Sequence, residues 1–161
     1  MKKLYTILLL LTLCVTALAQ NGRDLYNKYS DKSGMEAVYI SPAMFRLIGR
    51  IPDVEFQDGE VNFSPLIKSM TGFYILNTTD PAIGASLYAD VNKYVQSGHY
   101  ELLMEAKENG EVMRMYTVGD QHTVTSFVML AREGDEVSFI SFDGKMDREQ
   151  MENLLAQAAE N

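Results

Sequence analysis

The dipeptide Asn109-Gly110 constrains the fold more than any other feature of this sequence. It lies between two apolar-rich runs. Asn-Gly in that context favours a two-residue type I′ hairpin, because both turn positions need a positive φ. The turn fixes a register that pairs Lys107 with Val112, Ala106 with Met113, Glu105 with Arg114, Met104 with Met115 and Leu103 with Tyr116. The Glu105–Arg114 pair brings opposite charges together across the strands, which supports this register.

Alternation of side chains along each strand sorts the predicted hairpin into two faces. One face carries apolar side chains and is predicted to be the core face: Leu102, Met104, Ala106, Met113 and Met115. The other face carries the charged side chains: Glu101, Glu105, Lys107 and Arg114. Met104 and Met115 are accordingly predicted to be buried neighbours.

The hairpin belongs to a predicted meander of four antiparallel strands over residues 99–143. Five consecutive apolar residues, 127–131, lie within the run Thr123–Arg132. Such a run implies burial on both faces, so this strand is predicted to be central. Glu133, Gly134 and Asp135 form the next turn, and Val137–Phe142 is the fourth strand.

Helices and two earlier strands complete the predicted domain. Helices are expected at 23–31, 42–49, 64–70 and 81–97, strands at 36–41 and 72–77, and a loop at 51–62. Three of these helices start with a capping residue that is followed directly by a proline, at Ser41-Pro42, Ser64-Pro65 and Asp80-Pro81. The longest helix has an apolar face of Ile83, Leu87, Val91 and Val95, and a final helix has one of Met151, Leu154, Leu155 and Ala158. The pattern predicts a two-layer α+β domain, with the meander and the two earlier strands packed against helices.

The first 19 residues have the pattern of a signal peptide. Lys2-Lys3 precedes the apolar run Leu4–Val15, and Ala17-Leu18-Ala19 fits a cleavage site. The prediction is a signal peptide over 1–19 and a single domain over 20–161 that begins at Gln20, exported to the periplasm or the outside. Cys14 leaves a lipid-anchored form as the alternative, but Leu11-Thr12-Leu13 is a poor context for lipidation.

Composition excludes several classes of function. The chain has 14 basic and 22 acidic residues, and loss of Lys2 and Lys3 would bring its net charge near −10. Such a surface repels nucleic acid and anionic lipid. Cys14 is the only cysteine, so the exported chain is predicted to have neither disulfides nor a thiolate metal site. No second segment is apolar and long enough to be a transmembrane helix.

Few motifs point to catalysis. The sequence has neither a glycine-rich phosphate loop nor a G-x-S-x-G nucleophile elbow. Asp120 and His122 could both contact a metal, but one carboxylate and one imidazole are too few for a closed zinc site. No metal or cofactor is therefore expected. A hydrolase that uses His122 or His99 remains an alternative, because the partners of a catalytic triad can be distant in sequence.

Part of the charged face of the hairpin is a candidate partner surface. It combines apolar and charged side chains, as protein interfaces do, and consists of Leu103, Val112, Arg114 and Tyr116. The leading hypothesis is a non-catalytic module that binds another protein of the cell envelope. A second hypothesis is a small-molecule carrier whose pocket lies between the sheet and the helices and is lined by aromatic and methionine side chains.

A series of short stretches, in order along the chain, carries a family resemblance. The stretches are Leu25–Tyr29, Val38–Phe45, Tyr100–Met104, Glu108–Gly110, Phe139–Ser141 and Gly144–Asp147. Together they resemble the domain of unknown function family 4252, which consists of small secreted or lipid-anchored proteins of Bacteroidetes. The resemblance implies an extracytoplasmic location and a link to envelope signalling or stress response. It supplies no catalytic residues.

Overall fold

An antiparallel sheet of six strands is the main element of the computed structural model, which describes residues 22–48, 57–58, 61–62 and 64–153. Its strands are β1 (Met35–Ile40), β4 (Met70–Thr78), β5 (Glu101–Glu108), β6 (Glu111–Gly119), β7 (Thr123–Glu133) and β8 (Glu136–Asp147). They lie in the order β1-β4-β8-β7-β6-β5. Two short strands, β2 (Gln57–Asp58) and β3 (Val61–Asn62), pair with each other in a separate sheet.

Four helices have both ends within the described residues, and a fifth begins near the C-terminus. They are α1 (Gly22–Tyr29), α2 (Pro42–Ile48), α3 (Ser64–Ser69), α4 (Pro81–Ser97) and α5, which is helical over 148–153. The predicted start of α4 is confirmed. Asp80 Oδ1 accepts hydrogen bonds from the backbone N–H groups of Ala82 and Ile83, both at 2.9 Å. This satisfies two donors that the helix itself leaves unpaired.

Helices α1 and α4 pack on one face of the sheet, here called the helix face. The core between them is made of Leu25, Tyr29, Leu87, Val91, Tyr94 and Val95 from the helices and Tyr74, Leu76, Val128, Leu130, Val137 and Phe139 from the strands. At its start, α1 lies so close to β8 that a Cβ on Gly22 would be 2.7 Å from Ser141 Oγ. The predicted two-layer α+β fold is confirmed.

The predicted meander is also confirmed, because β5 to β8 are neighbours in chain order and β7 is an interior strand. Asn109 and Gly110 have φ values of 49° and 92°, as a type I′ turn requires. The four predicted pairs nearest the turn are observed. The fifth is wrong, since Leu102 and not Leu103 faces Tyr116; a bulge lies between Leu102 and Met104.

The predicted core face of the hairpin is wrong. Met104 is 42% exposed and Leu102 is 49% exposed, so Met104 and Met115 are paired neighbours but not buried ones. Arg114 and Tyr116 instead lie on the helix face, where Tyr116 packs against the core. The physical reason is that alternation divides a strand into two faces without indicating which one the helices cover. The bulge also separates Leu102 from the face of Met104.

Some predictions fall outside the described residues. They are the signal peptide over 1–19 with Cys14, the start at Gln20, most of the loop over 51–62, and Leu154, Leu155 and Ala158 of the last helix. The loop prediction is wrong for the four of its residues that are described, since they form β2 and β3. In the described part of the chain, no helix has both the length and the apolar character that crossing a membrane requires.

Candidate functional site

The four residues of the candidate partner surface do not form one open patch. Leu103 lies at the bulge of β5 and is 37% exposed. Val112, Arg114 and Tyr116 are half-buried. The geometry therefore leaves Leu103 as the exposed member of the four, while their binding of a partner stays a prediction.

Arg114 and Tyr116 connect the hairpin to α4. Arg114 Nε donates a hydrogen bond to Glu105 Oε2 at 2.6 Å, and its Nη1 donates to the Tyr88 hydroxyl of α4 at 2.9 Å. The bond to Glu105 raises the pKa of Arg114 above its usual value. Burial raises the pKa of Tyr116, so this phenol stays neutral. The arrangement is that of a structural link between strand and helix.

The opposite side of the sheet, here called the open face, carries one apolar line that crosses all six strands. Pairing in register places one residue of each strand in a line across it: Val38, Ile75, Ile140, Met129, Met115 and Met104. We call this line the apolar row. Its outer members, Val38 and Met104, are 46% and 42% exposed, and the four between them are half-buried. A row this long and apolar is typical of a surface that contacts a partner.

One end of the open face is closed by the chain itself. Met151 of α5 is 3% exposed and packs with Val124, Phe127 and Met146. The Phe127 and Phe142 rings stack there, with centroids 4.7 Å apart. Helices α2 and α3 adjoin the same end, since α2 follows the last residue of β1 and α3 leads directly into β4. Met115 and Met129 of the apolar row also pack against this cluster, so the row borders the closed end, and the more exposed part of the face among the described residues extends from it toward the opposite end.

Four glutamates form a second line across the open face, here called the glutamate row: Glu108, Glu111, Glu133 and Glu136. Glu108 pairs with Glu111 and Glu133 with Glu136. Val112 pairs with Arg132, so the next residues along, Glu111 and Glu133, adjoin as well. All four are exposed, and none forms a salt bridge with another described residue. Like charges directly opposite each other destabilise a sheet.

The glutamate row was not among the predicted site residues, although the sequence carries a signal for it. Each glutamate flanks a two-residue turn, as Glu-Asn-Gly-Glu over 108–111 and as Glu-Gly-Asp-Glu over 133–136. Each hairpin alone brings two glutamates together. The register between β6 and β7 then brings the two pairs side by side.

A depression of about 350 Å³ lies where the glutamate row meets the apolar part of the open face. Its lining on this face is Ala106, Met113 and Ala131 together with Glu108, Glu111 and Glu133, and Lys107, Val112 and Arg132 complete it from the other side of the strands. The two alanines are small, which leaves space between the apolar row and the glutamates. The lining carries three acidic and two basic side chains, and an aliphatic stem with a cationic end fits its acidic side on the open face.

The helix face contains a buried polar cluster that the sequence did not predict. Tyr94 of α4 and Tyr100 share a hydrogen bond between their hydroxyls, and Tyr100 donates to Ser126 Oγ at 2.9 Å. Burial raises the pKa of the Asp143 carboxyl, although a hydrogen bond from Ser126 lowers it in part. Burial also raises the pKa of both tyrosines. Neutral phenols are hydrogen-bond donors and poor nucleophiles, so the cluster connects α4 to the sheet.

Both histidines are exposed. The Asp120 carboxylate accepts hydrogen bonds from the backbone N–H groups of His122 and Thr123, both at 2.8 Å. These bonds lower the pKa of Asp120 and hold a turn. Within the described residues, no group of three histidine, cysteine or acidic side chains is placed to hold a metal ion. No observation on these residues favours the hydrolase alternative.

Comparison with known proteins gives one match. The sequence model of a family described as a domain of unknown function, DUF4252, matches residues 29–154. This range includes the whole six-stranded sheet, the apolar row and the glutamate row. No curated protein and no solved structure matches the chain.

Proposed function

This chain belongs to the DUF4252 family, and we propose that it is a non-catalytic module that binds another protein of the cell envelope. The signal-peptide pattern of residues 1–19 supports an extracytoplasmic location. The family resemblance supports a role in envelope signalling or stress response. In this proposal the bound protein takes up the open face, and nothing is turned over.

The apolar row is the observation that carries the proposal. Its members continue across all six strands, and none of them is fully buried. A water-exposed sheet face is usually polar, because only the face that packs on the core needs to be apolar. Apolar side chains on both faces favour a second contact for the sheet, made by another protein.

Photo-crosslinking in the native host tests this proposal. The crosslinking residue is placed at Met104, which lies on the open face and is 42% exposed. The matched control is Leu102 on the same strand, which is 49% exposed and pairs with Tyr116 of the helix face. We expect one discrete protein adduct from position 104 and none from position 102. Equal adducts from both positions, or none from position 104, would contradict the proposal.

The small-molecule carrier is the second candidate. The depression beside the glutamate row supports it, since its volume of about 350 Å³ is at the lower end of the range for ligand pockets, roughly 300–1,000 Å³. Native mass spectrometry of the protein purified from its host separates the two candidates. A bound small molecule that leaves after substitution of Ala106 or Ala131 by leucine would favour the carrier.

A further inference from the structure

We propose, resting on the protein-binding function above, that the open face recognises an amphipathic helix whose apolar side is bordered by basic residues along one flank. The apolar side lies along the apolar row, and the basic flank faces the glutamate row. The inference names the chemistry of the partner segment and the direction in which it lies on the sheet.

The dimensions of the apolar row fit a helix. Six strands have five spacings between them, so the row is about 24 Å long at about 4.8 Å per spacing. A helix of about 16 residues has this length. The most exposed apolar side chains are at the two ends, Val38 and Met104, so a helix laid across the sheet covers side chains that the protein itself leaves in water.

The glutamate row runs parallel to the apolar row on the same face. Four residues of strand separate Met129 from Glu133, a distance of about 14 Å. Between the two rows lie Ala106, Met113 and Ala131, which line the depression, and Ser138 of β8. A lysine or arginine on the flank of the helix can lay its aliphatic stem in this depression and reach a glutamate with its charged end.

Charge distinguishes this partner from other occupants of the face. The four glutamates repel one another and have no salt bridge with a described residue. A basic flank removes that repulsion on binding. A second copy of this chain would bring a second glutamate row to the contact. An anionic membrane is also repelled by this row and by the net charge of −8.

The first test uses three synthetic 16-residue amphipathic helices with the same apolar side and with lysine, glutamine or glutamate along one flank. Each is titrated into the protein that starts at Gln20, with labelled methionine methyl groups. We expect the lysine peptide to bind about tenfold more tightly than the glutamine peptide, and the glutamate peptide more weakly than both. The methyl signals of Met104, Met115 and Met129 should shift, while that of Met35, on the helix face, should not.

The second test removes charges from the protein. Glu111→Gln with Glu133→Gln should weaken binding of the lysine peptide about fivefold and leave the glutamine peptide unchanged. The matched control removes two exposed acids in and just after α1 on the helix face, as Asp24→Asn with Asp31→Asn. It should change the affinity by less than about twofold, since exposed charges distant from a contact are screened by salt.

The outcomes separate this inference from the proposed function. Equal affinity for the lysine and glutamine peptides, or an equal effect of the control pair, would overturn the inference. If the crosslinked adduct at position 104 forms equally well with Glu111→Gln and Glu133→Gln, the protein-binding function stands and the basic flank is wrong. If the methionine shifts depend only on protein concentration, the occupant is a second copy. If no adduct forms at position 104, the proposed function itself fails.

Discussion

The helix face and the open face are built by neighbouring residues of the same strands, yet only one of them is closed. On the helix face, Leu76, Phe139 and Leu130 are all 0% exposed. Their neighbours on the open face, Ile75, Ile140 and Met129, are half-buried. Both sets are apolar, so apolar character alone does not determine burial. The difference is that α1 and α4 close over the first set, while the second set stays half-buried, although Met129 packs against the cluster around Met151.

The largest expected effect is a difference in stability between two adjacent residues of β7. Leu130→Ala should lower the free energy of unfolding by about 2–5 kcal/mol, because it leaves a cavity in a fully packed core. Met129→Ala should lower the free energy of unfolding by about 1 kcal/mol, because folding removes less of the Met129 side chain from water than of the Leu130 side chain. Urea denaturation of both variants measures the two values. Equal losses would mean that the open face is as well packed as the helix face.

The next largest expected effect on stability concerns the Asn109-Gly110 turn, which sets the register of β5 and β6. Gly110 has a φ of 92°, and a β-branched residue resists that conformation. Gly110→Val should therefore cost about 1–3 kcal/mol of stability. Asp135→Val is the control, since Asp135 lies in the other hairpin turn and does not have a positive φ. If thermal denaturation shows no difference between the two variants, the type I′ turn does not set the register.

A substitution of Arg114 tests whether this side chain belongs to the helix face. Its side chain is 23% exposed and is bonded to Glu105 and Tyr88, so Arg114→Glu should cost about 1–3 kcal/mol. Lys107 contacts the same carboxylate at 2.7 Å, but its side chain is 58% exposed. Lys107→Glu makes the same charge change and should cost less than about 1 kcal/mol. Similar melting temperatures for the two variants would restore Arg114 to an open partner surface.

The sequence predicts the local part of this structure well. Asn109-Gly110 sets the hairpin register, Asp80-Pro81 starts α4, and the five apolar residues 127–131 indicate an interior strand, because each signal acts through neighbouring residues. It does not predict which face α1 and α4 cover, since that depends on the path of the chain between distant elements. The bulge beside Leu103 has no local signal of the same strength. A single bulge is enough to separate Leu102 from Met104.

The candidate site was predicted only in part for the same reason. The two glutamate pairs can be read from the sequence as residues that flank turns. Their alignment into one row needs the register of β6 and β7, which no turn residue determines as Asn109-Gly110 does for β5 and β6. The Tyr94–Tyr100–Ser126–Asp143 cluster likewise needs α4 to be placed on the sheet before its members meet.

The smallest expected effect concerns Asp143, a carboxyl group on the face that is otherwise closed and apolar. Burial raises its pKa above the unfolded value. Between the unfolded and folded pKa values the native state binds more protons, so this group makes the protein less stable as the pH rises through that window. The loss is complete above the folded pKa and is relieved below the unfolded pKa of about 3.9.

Asp143→Asn should therefore stabilise the protein at pH 7, and this gain should shrink as the pH falls toward 4. Asp90, Glu105 and Asp120 have lowered pKa values and act in the opposite direction, but they are present in both proteins and cancel in the difference. Urea denaturation of the two proteins from pH 4 to pH 8 measures the difference in their free energies of unfolding. A constant difference across that range would mean that the Asp143 carboxyl is solvated on the helix face as an ordinary surface carboxyl is. The helix face would then be less completely closed than its contrast with the open face requires.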